Sequence, residues 1–213
     1  ATTGASNALL KSLEEPPSRA ILILTADARE SLLETIASRC EVVRLRPMRI
    51  ADLAKELQER HQLSEIESRE LAQLAGGRVG TALSYLRDED LLDKYHNALD
   101  QLEELLPMNL RGRLKYVEKL QRAKGSAREA YSFLISTWLT FWRDVLICSE
   151  SGEVPLVNLE KEELIRHAAS GLSLQRVAGI LQRHEDALTM LDQYVNSRLI
   201  LENLLLNLPH LEP

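Results

Sequence analysis

Cysteine is almost missing from this chain. Cys40 and Cys148 are the only two, far apart in 213 residues, which argues against a disulfide framework and for a reducing compartment. There is no CxxC pair or other metal-ligand spacing. The five histidines (His61, His96, His167, His184, His210) are scattered, so no structural zinc site is expected. No apolar run reaches the length of a membrane span, and no signal peptide is visible. A surplus of positive charge is missing too. The formal net charge is -6, which excludes a globally basic nucleic-acid surface but leaves a local patch open. The first residue is Ala1 and not Met, and a helical pattern begins almost at once, so the chain reads as a fragment whose N-terminal portion is missing.

Machinery for nucleotide chemistry is also lacking. The sequence has no GxxxxGK[ST] phosphate loop and no Asp-Glu pair closing an apolar strand to hold Mg²⁺. No local signature marks a Ser/His/Asp or Cys/His arrangement. By the usual machinery, this chain alone is not expected to bind and hydrolyse ATP.

What is present favours helices. Aromatics make up only 4%, while Leu, Ala, Glu and Arg abound; the 45% hydrophobic and 27% charged fractions are ordinary for a globular domain. Residues 5–15 read as a short amphipathic helix ended by Pro16-Pro17. Ala20-Ile21-Leu22-Ile23-Leu24 is an apolar run of strand length, suited to a sheet buried on both faces, and Thr25-Ala26-Asp27 closes it. Leu32, Leu33 and Ile36 mark a short helix, and residues 40–45 a second strand. Two strands do not make a stable doubly wound sheet.

From Arg46 the pattern is purely helical. Ser64 and Glu67 form a capping box for a helix stopped by Gly76-Gly77, between helices marked by Ile50, Leu53, Leu57 and by Val79, Ala82, Leu86. After the polar junction 88–90, helices are expected over 95–106, 110–120, 127–148, 161–169 and 174–208, the last broken near Asp186. The expected fold is mostly α with a partial α/β region. Its domains are 1–45 (partial α/β), 46–90 (a three-helix bundle) and 91–213 (all-helical).

Few residues stand out as chemical candidates. Arg39 sits at a helix end beside a strand edge, where its forked donors could leave the subunit. Arg111, Arg113, Lys115, Lys119, Arg122 and Lys124 form the densest basic stretch, which on spacing alone reads as a solvated face. Trp138 and Trp142, four apart on one helix face with Ile135 and Val145, read as core.

Residues 6–18 (Ser-Asn-Ala-Leu-Leu-Lys-Ser-Leu-Glu-Glu-Pro-Pro-Ser) and, twenty residues on, Ser38-Arg39-Cys40 together resemble the second half of the AAA+ ATPase domain of bacterial clamp-loader subunits of DNA polymerase III. The resemblance implies a clamp-loader subunit with a three-helix lid and a helical collar that joins a pentamer. Arg39, flanked by Ser38 and Cys40, would be an arginine finger reaching a neighbour's ATP in trans. Thr25 would occupy the sensor-1 place. Residues 76–83 resemble the sensor-2 segment, and matching residue by residue puts Gly80 where ATP-hydrolysing subunits carry an arginine. Arg78, two residues earlier, would face about 200° away on a helix. That departure implies the non-hydrolysing delta-prime type; the alternative is an active gamma/tau-type ATPase whose phosphate loop lies in the missing part. The last helix, around residues 194–206, also resembles the collar of these subunits. The resemblance further implies no cofactor in this chain and ATP-Mg at the neighbouring subunit. Implied partners are gamma/tau and delta subunits, the sliding clamp and primed DNA, in a cytoplasmic setting, with no membrane.

Overall fold

The computed structural model describes residues 10, 12–14, 19–26, 29–121, 127–150, 154–193 and 195–211. The chain divides into two compact units, Ala1–Arg46 and Pro47–Pro213.

In the first unit, residues 10 and 12–14 are helical, as the amphipathic pattern predicts, and the rest of the 5–18 stretch lies outside the described residues. A 3₁₀ turn (Arg29–Ser31) leads to a four-residue helix, α1 (Glu34–Ala37), which buries Ile36 and Ala37. The two expected strands are not formed. Residues 20–26 and 41–46 have no regular structure and, among the described residues, no strand is present. A strand exists only through a partner that takes its N–H and C=O groups, and an apolar run alone does not provide one. Ile21 is 88% exposed and Leu45 93%.

The second unit is helical throughout its described regular structure. Its first three helices are α2 (Ile50–His61), α3 (Glu65–Leu74) and α4 (Val79–Arg87). Their apolar faces meet in a small core of Leu53, Leu57, Leu71, Ala72, Ala75 and Ala82. The predicted capping box is present. Ser64 Oγ accepts from Glu67 N at 3.2 Å, and Glu67 Oε2 accepts from Ser64 N at 2.9 Å, which lowers the Glu67 pKa. Gly77 (φ +76°) reverses the chain after α3, and its O accepts from Met48 N at 2.8 Å. A Cβ there would lie 2.1 Å from Met48 O, so both conformation and space require glycine.

The junction 88–90 is shorter than expected. Asp88 alone separates α4 from α5 (Glu89–Leu105), and its carboxylate accepts from Leu91 N at 3.2 Å as an N-cap. Next come α6 (Leu110–Gln121), α7 (Ala127–Ser149), a 3₁₀ turn (Leu159–Lys161), α8 (Glu162–Gly171), α9 (Leu174–Asp192) and α10 (Ser197–Leu206). The central α7 packs against α5, α8 and α9, and α10 closes on α6, α7 and α9. Trp138, Trp142, Tyr131 and Phe141 fill the middle of this larger core. The final helical stretch divides into a helix that ends at Asp192 and one that begins at Ser197, and it is not broken near Asp186. Asn196 supplies the reason for the division, since its Oδ1 accepts from Arg198 N and Leu199 N and starts a new helix.

A buried polar network ties the segment before α8 to α5 and α7. Asp144 Oδ2 accepts from Val157 N, Asn158 N and Asn158 Nδ2 at 2.8–2.9 Å. Tyr95 Oη donates to Asn158 Oδ1 at 2.6 Å and lies 2.7 Å from Thr140 Oγ1. Burial raises the Asp144 pKa, and these donors, with Arg143, pull it back.

Candidate functional site

Arg39 lies just past the end of α1. Its backbone N donates to Ile36 O at 3.0 Å, and the preceding Ser38 closes the helix by donating its Oγ to Thr35 O at 3.3 Å. The Arg39 side chain turns back on the same turn: Nη1 donates to Thr35 O at 2.9 Å, a cation meeting an orphan carbonyl at a helix C-terminus. Nη2 pairs with Glu14 Oε1 at 2.6 Å. The two side chains remain 39% and 52% exposed, so solvent screens the pair, and such pairs contribute about 0–1 kcal/mol. Arg39 is therefore engaged but accessible. Cys40 is half-buried and its thiol is free.

Thr25 is exposed in the segment 20–26, which has no regular structure, and Asp27 lies outside the described residues. Gly80 is exposed near the start of α4, within the other unit, and a Cβ built there meets nothing within 4 Å. Packing therefore places no demand for glycine at this position. Arg78 is the N-cap of α4 and is exposed.

Glu14 was not legible as a partner of Arg39. It belongs to the 6–18 motif, but twenty-five residues separate the two and no helical or strand period links them.

The basic stretch divides. Arg111, Lys115 and Lys119 are exposed on α6, while Arg122 and Lys124 lie outside the described residues. Arg113 breaks the solvated-face reading: it is 2% exposed. Its Nε donates to Leu105 O, Nη1 to Leu205 O and Leu208 O, and Nη2 to Leu106 O and Pro209 O, at 2.7–3.1 Å. All five guanidinium hydrogens thus meet carbonyls at the C-terminal ends of α5 and α10. One buried cation gathers the carbonyls at and just past two helix ends, three of which also accept from backbone N–H groups, and faces the negative end of both dipoles. Burial lowers its pKa.

Trp138 and Trp142 are fully buried, as expected of core residues. Of the last helix, Leu201, Leu204 and Leu205 are buried, as is Leu208 just past it, while Leu199 and Leu206 are exposed. Among the described residues there is no group of three or more His, Cys, Asp or Glu placed to hold a metal ion. None of the described helices is long and apolar enough to cross a membrane.

The stretch that holds Arg39 is also the stretch a family model matches: residues 1–49 fit the family described as DNA polymerase III, delta subunit. A DNA polymerase III subunit delta' of Bacillus subtilis (strain 168) is 25% identical over 97% of this chain and 62% of its own length. The chain resembles DNA polymerase III delta-prime subunits. A second relative, the DNA polymerase III subunit delta' of Haemophilus influenzae, is 56% identical over 41 residues, covering 19% of this chain and 12% of the relative. The chain thus spans less than two thirds of the length of either relative. The delta-prime likeness is broad but dilute over nearly the whole chain with the first relative, and dense over a short stretch with the second.

Proposed function

We propose that this chain acts as part of a delta-prime type clamp-loader subunit that hydrolyses no ATP itself and offers Arg39 in trans to ATP-Mg on a neighbouring subunit. The observation that carries the reading is Ser38-Arg39-Cys40 inside the family-matched residues 1–49, with Arg39 accessible at the end of α1. A guanidinium keeps its charge at all working pH values, and its planar fork suits the charge that develops on a transferring γ-phosphoryl group. Gly80 supports the non-hydrolysing assignment over the gamma/tau-type ATPase. The position has room for a side chain, yet carries none to meet a nucleotide.

In this reading residues 46–90 serve as the lid and 91–213 as the oligomerising collar. Gamma/tau and delta subunits are the partners, and ATP-driven closure places the sliding clamp on primed DNA in the cytoplasm.

The test is single-turnover hydrolysis at the adjacent site, in a complex rebuilt with the full-length subunit and with the other interfaces disabled. Arg39→Ala lowers the rate about tenfold or more, given trans-arginine contributions of about 10³–10⁵ in GTPases. Arg39→Lys rescues poorly, because a point charge does not reproduce the fork. Wild-type rates for Arg39→Ala overturn the proposal. Mg²⁺-dependent turnover by the purified chain alone favours the ATPase reading.

A further inference from the structure

A trans-acting finger has somewhere to rest before a neighbouring phosphate arrives, and the Arg39 guanidinium is already engaged on its own chain. Nη2 is held by Glu14 Oε1 at 2.6 Å, and Nη1 by Thr35 O at 2.9 Å. The Thr35 contact is local, a neutral carbonyl four residues back on the same turn. Glu14 is different. It comes from a separate helical stretch, brings a full negative charge, and occupies an edge of the fork that a phosphoryl group would use. A carboxylate and a phosphate cannot both take the same Nη2 hydrogens at that distance. The two anions compete for one cation.

We propose that Glu14 is a positioning residue that keeps Arg39 docked on its own subunit and must surrender it to a neighbour's nucleotide; this rests on the assignment of Arg39 as a trans-acting finger. The pair is suited to such a role because it is weak. Both partners are part-exposed, and pairs of this kind shift an equilibrium by about twofold to fivefold. A polyanionic nucleotide can displace a hold of that size, whereas a fully buried pair would resist. Glu14 thus acts through Arg39 and touches no reacting atom. It sets the fraction of subunits whose finger is already free.

The experiment has two arms. In the first, the complex rebuilt with the full-length subunit carries Glu14→Gln, which keeps shape and removes charge. Single-turnover hydrolysis at the adjacent site, without DNA, rises about twofold to fivefold. In the Arg39→Ala background the same change has no effect. In the second arm, guanidinium-detected NMR on this chain shows hindered rotation of the Arg39 Nη groups, relaxed by Glu14→Gln. An unchanged or reduced rate for Glu14→Gln overturns the proposal, and so does a rise that persists with Arg39→Ala. Freely rotating Arg39 Nη groups in the unsubstituted chain overturn it as well. The two ideas fail separately. A normal rate for Arg39→Ala sinks the finger and Glu14's role with it. A slow Arg39→Ala beside an unresponsive Glu14→Gln leaves the finger intact and removes Glu14 alone.

Discussion

The first 46 residues and the remaining 167 use apolar runs of similar strength and arrive at opposite burials. Ile21, Ile23, Val43 and Leu45 are exposed on chain without regular structure, while Trp138, Trp142, Leu102 and Leu201 are fully buried on helices. The difference lies in where each backbone finds its hydrogen bonds. A helix satisfies its own interior N–H and C=O groups and then needs only another apolar face. Extended chain satisfies almost none by itself and waits on a neighbour. The helical unit is thus self-sufficient in a way that the first unit is not, and the exposed arginine belongs to the less self-sufficient part.

The largest effect that sharpens this contrast is expected at Arg113. Arg113→Ala removes five hydrogen bonds, takes from Leu208 O and Pro209 O the donor that Arg113 gave them, leaves a cavity between two helix ends, and destabilises the helical unit by roughly 3–5 kcal/mol, measured by urea denaturation followed by circular dichroism. Arg113→Lys recovers little, since three hydrogens on one centre do not reach five acceptors.

Acid is next. His184 is fully buried, with Nδ1 2.8 Å from Ile180 O, its ring beside Trp142 and no hydrogen-bond partner for Nε2. Burial lowers its pKa to about 4, with the Ile180 carbonyl opposing in part. The unfolded chain, titrating near 6.5, therefore takes up a proton before the folded one as pH falls. The contribution of His184 is intact above about pH 6.5 and declines between there and pH 4, by about 3 kcal/mol in all. Denaturation midpoints between pH 7 and 4.5 check this, and His184→Leu flattens the portion of the slope due to this residue.

Gly77→Ala is expected to cost about 2–3 kcal/mol in the same denaturation assay, from the left-handed backbone and the collision with Met48 O. Gly80→Ala serves as its control, because open space surrounds the Cβ position and the change is neutral or stabilising by about 0.5 kcal/mol. Smallest of all is Val43→Lys. With the side chain 75% exposed, unfolding of the helical unit shifts by no more than about 0.5 kcal/mol. A larger loss would mean that the segment 41–46 supports the helical core, and the contrast between the two units would break.

Much of the helical unit was legible because its signals are local. The Ser64–Glu67 capping box, the Gly76-Gly77 stop and the three- and four-residue apolar steps each act within one or two turns. The final helix breaks later than its sequence suggests because Asn196 competes with a strong apolar stripe, and its capping role outweighs continuity. Arg113 looks like its basic neighbours, since nothing in the run 111–119 distinguishes a cation that faces two helix ends from one that faces water. Around Arg39 the motif names a residue to test, and the surroundings were not legible. The Ser38-Arg39-Cys40 motif points to the residue, but its hold on Glu14 depends on a contact across twenty-five residues.

By itself the sequence determined the helices, their caps and stops, the core identity of the two tryptophans, and Arg39 as the residue to test. All of these follow from periodicity and from side chains acting on backbone a few positions away, save Arg39, which rests on a motif. Only the tertiary structure decided that Arg113 is buried, that His184 titrates low, that Glu14 holds Arg39, and that the apolar runs near the start remain uncovered. Each of those depends on which distant groups come within a few ångströms of one another, and desolvation, pairing and ladder formation are all properties of that proximity, which no local pattern encodes.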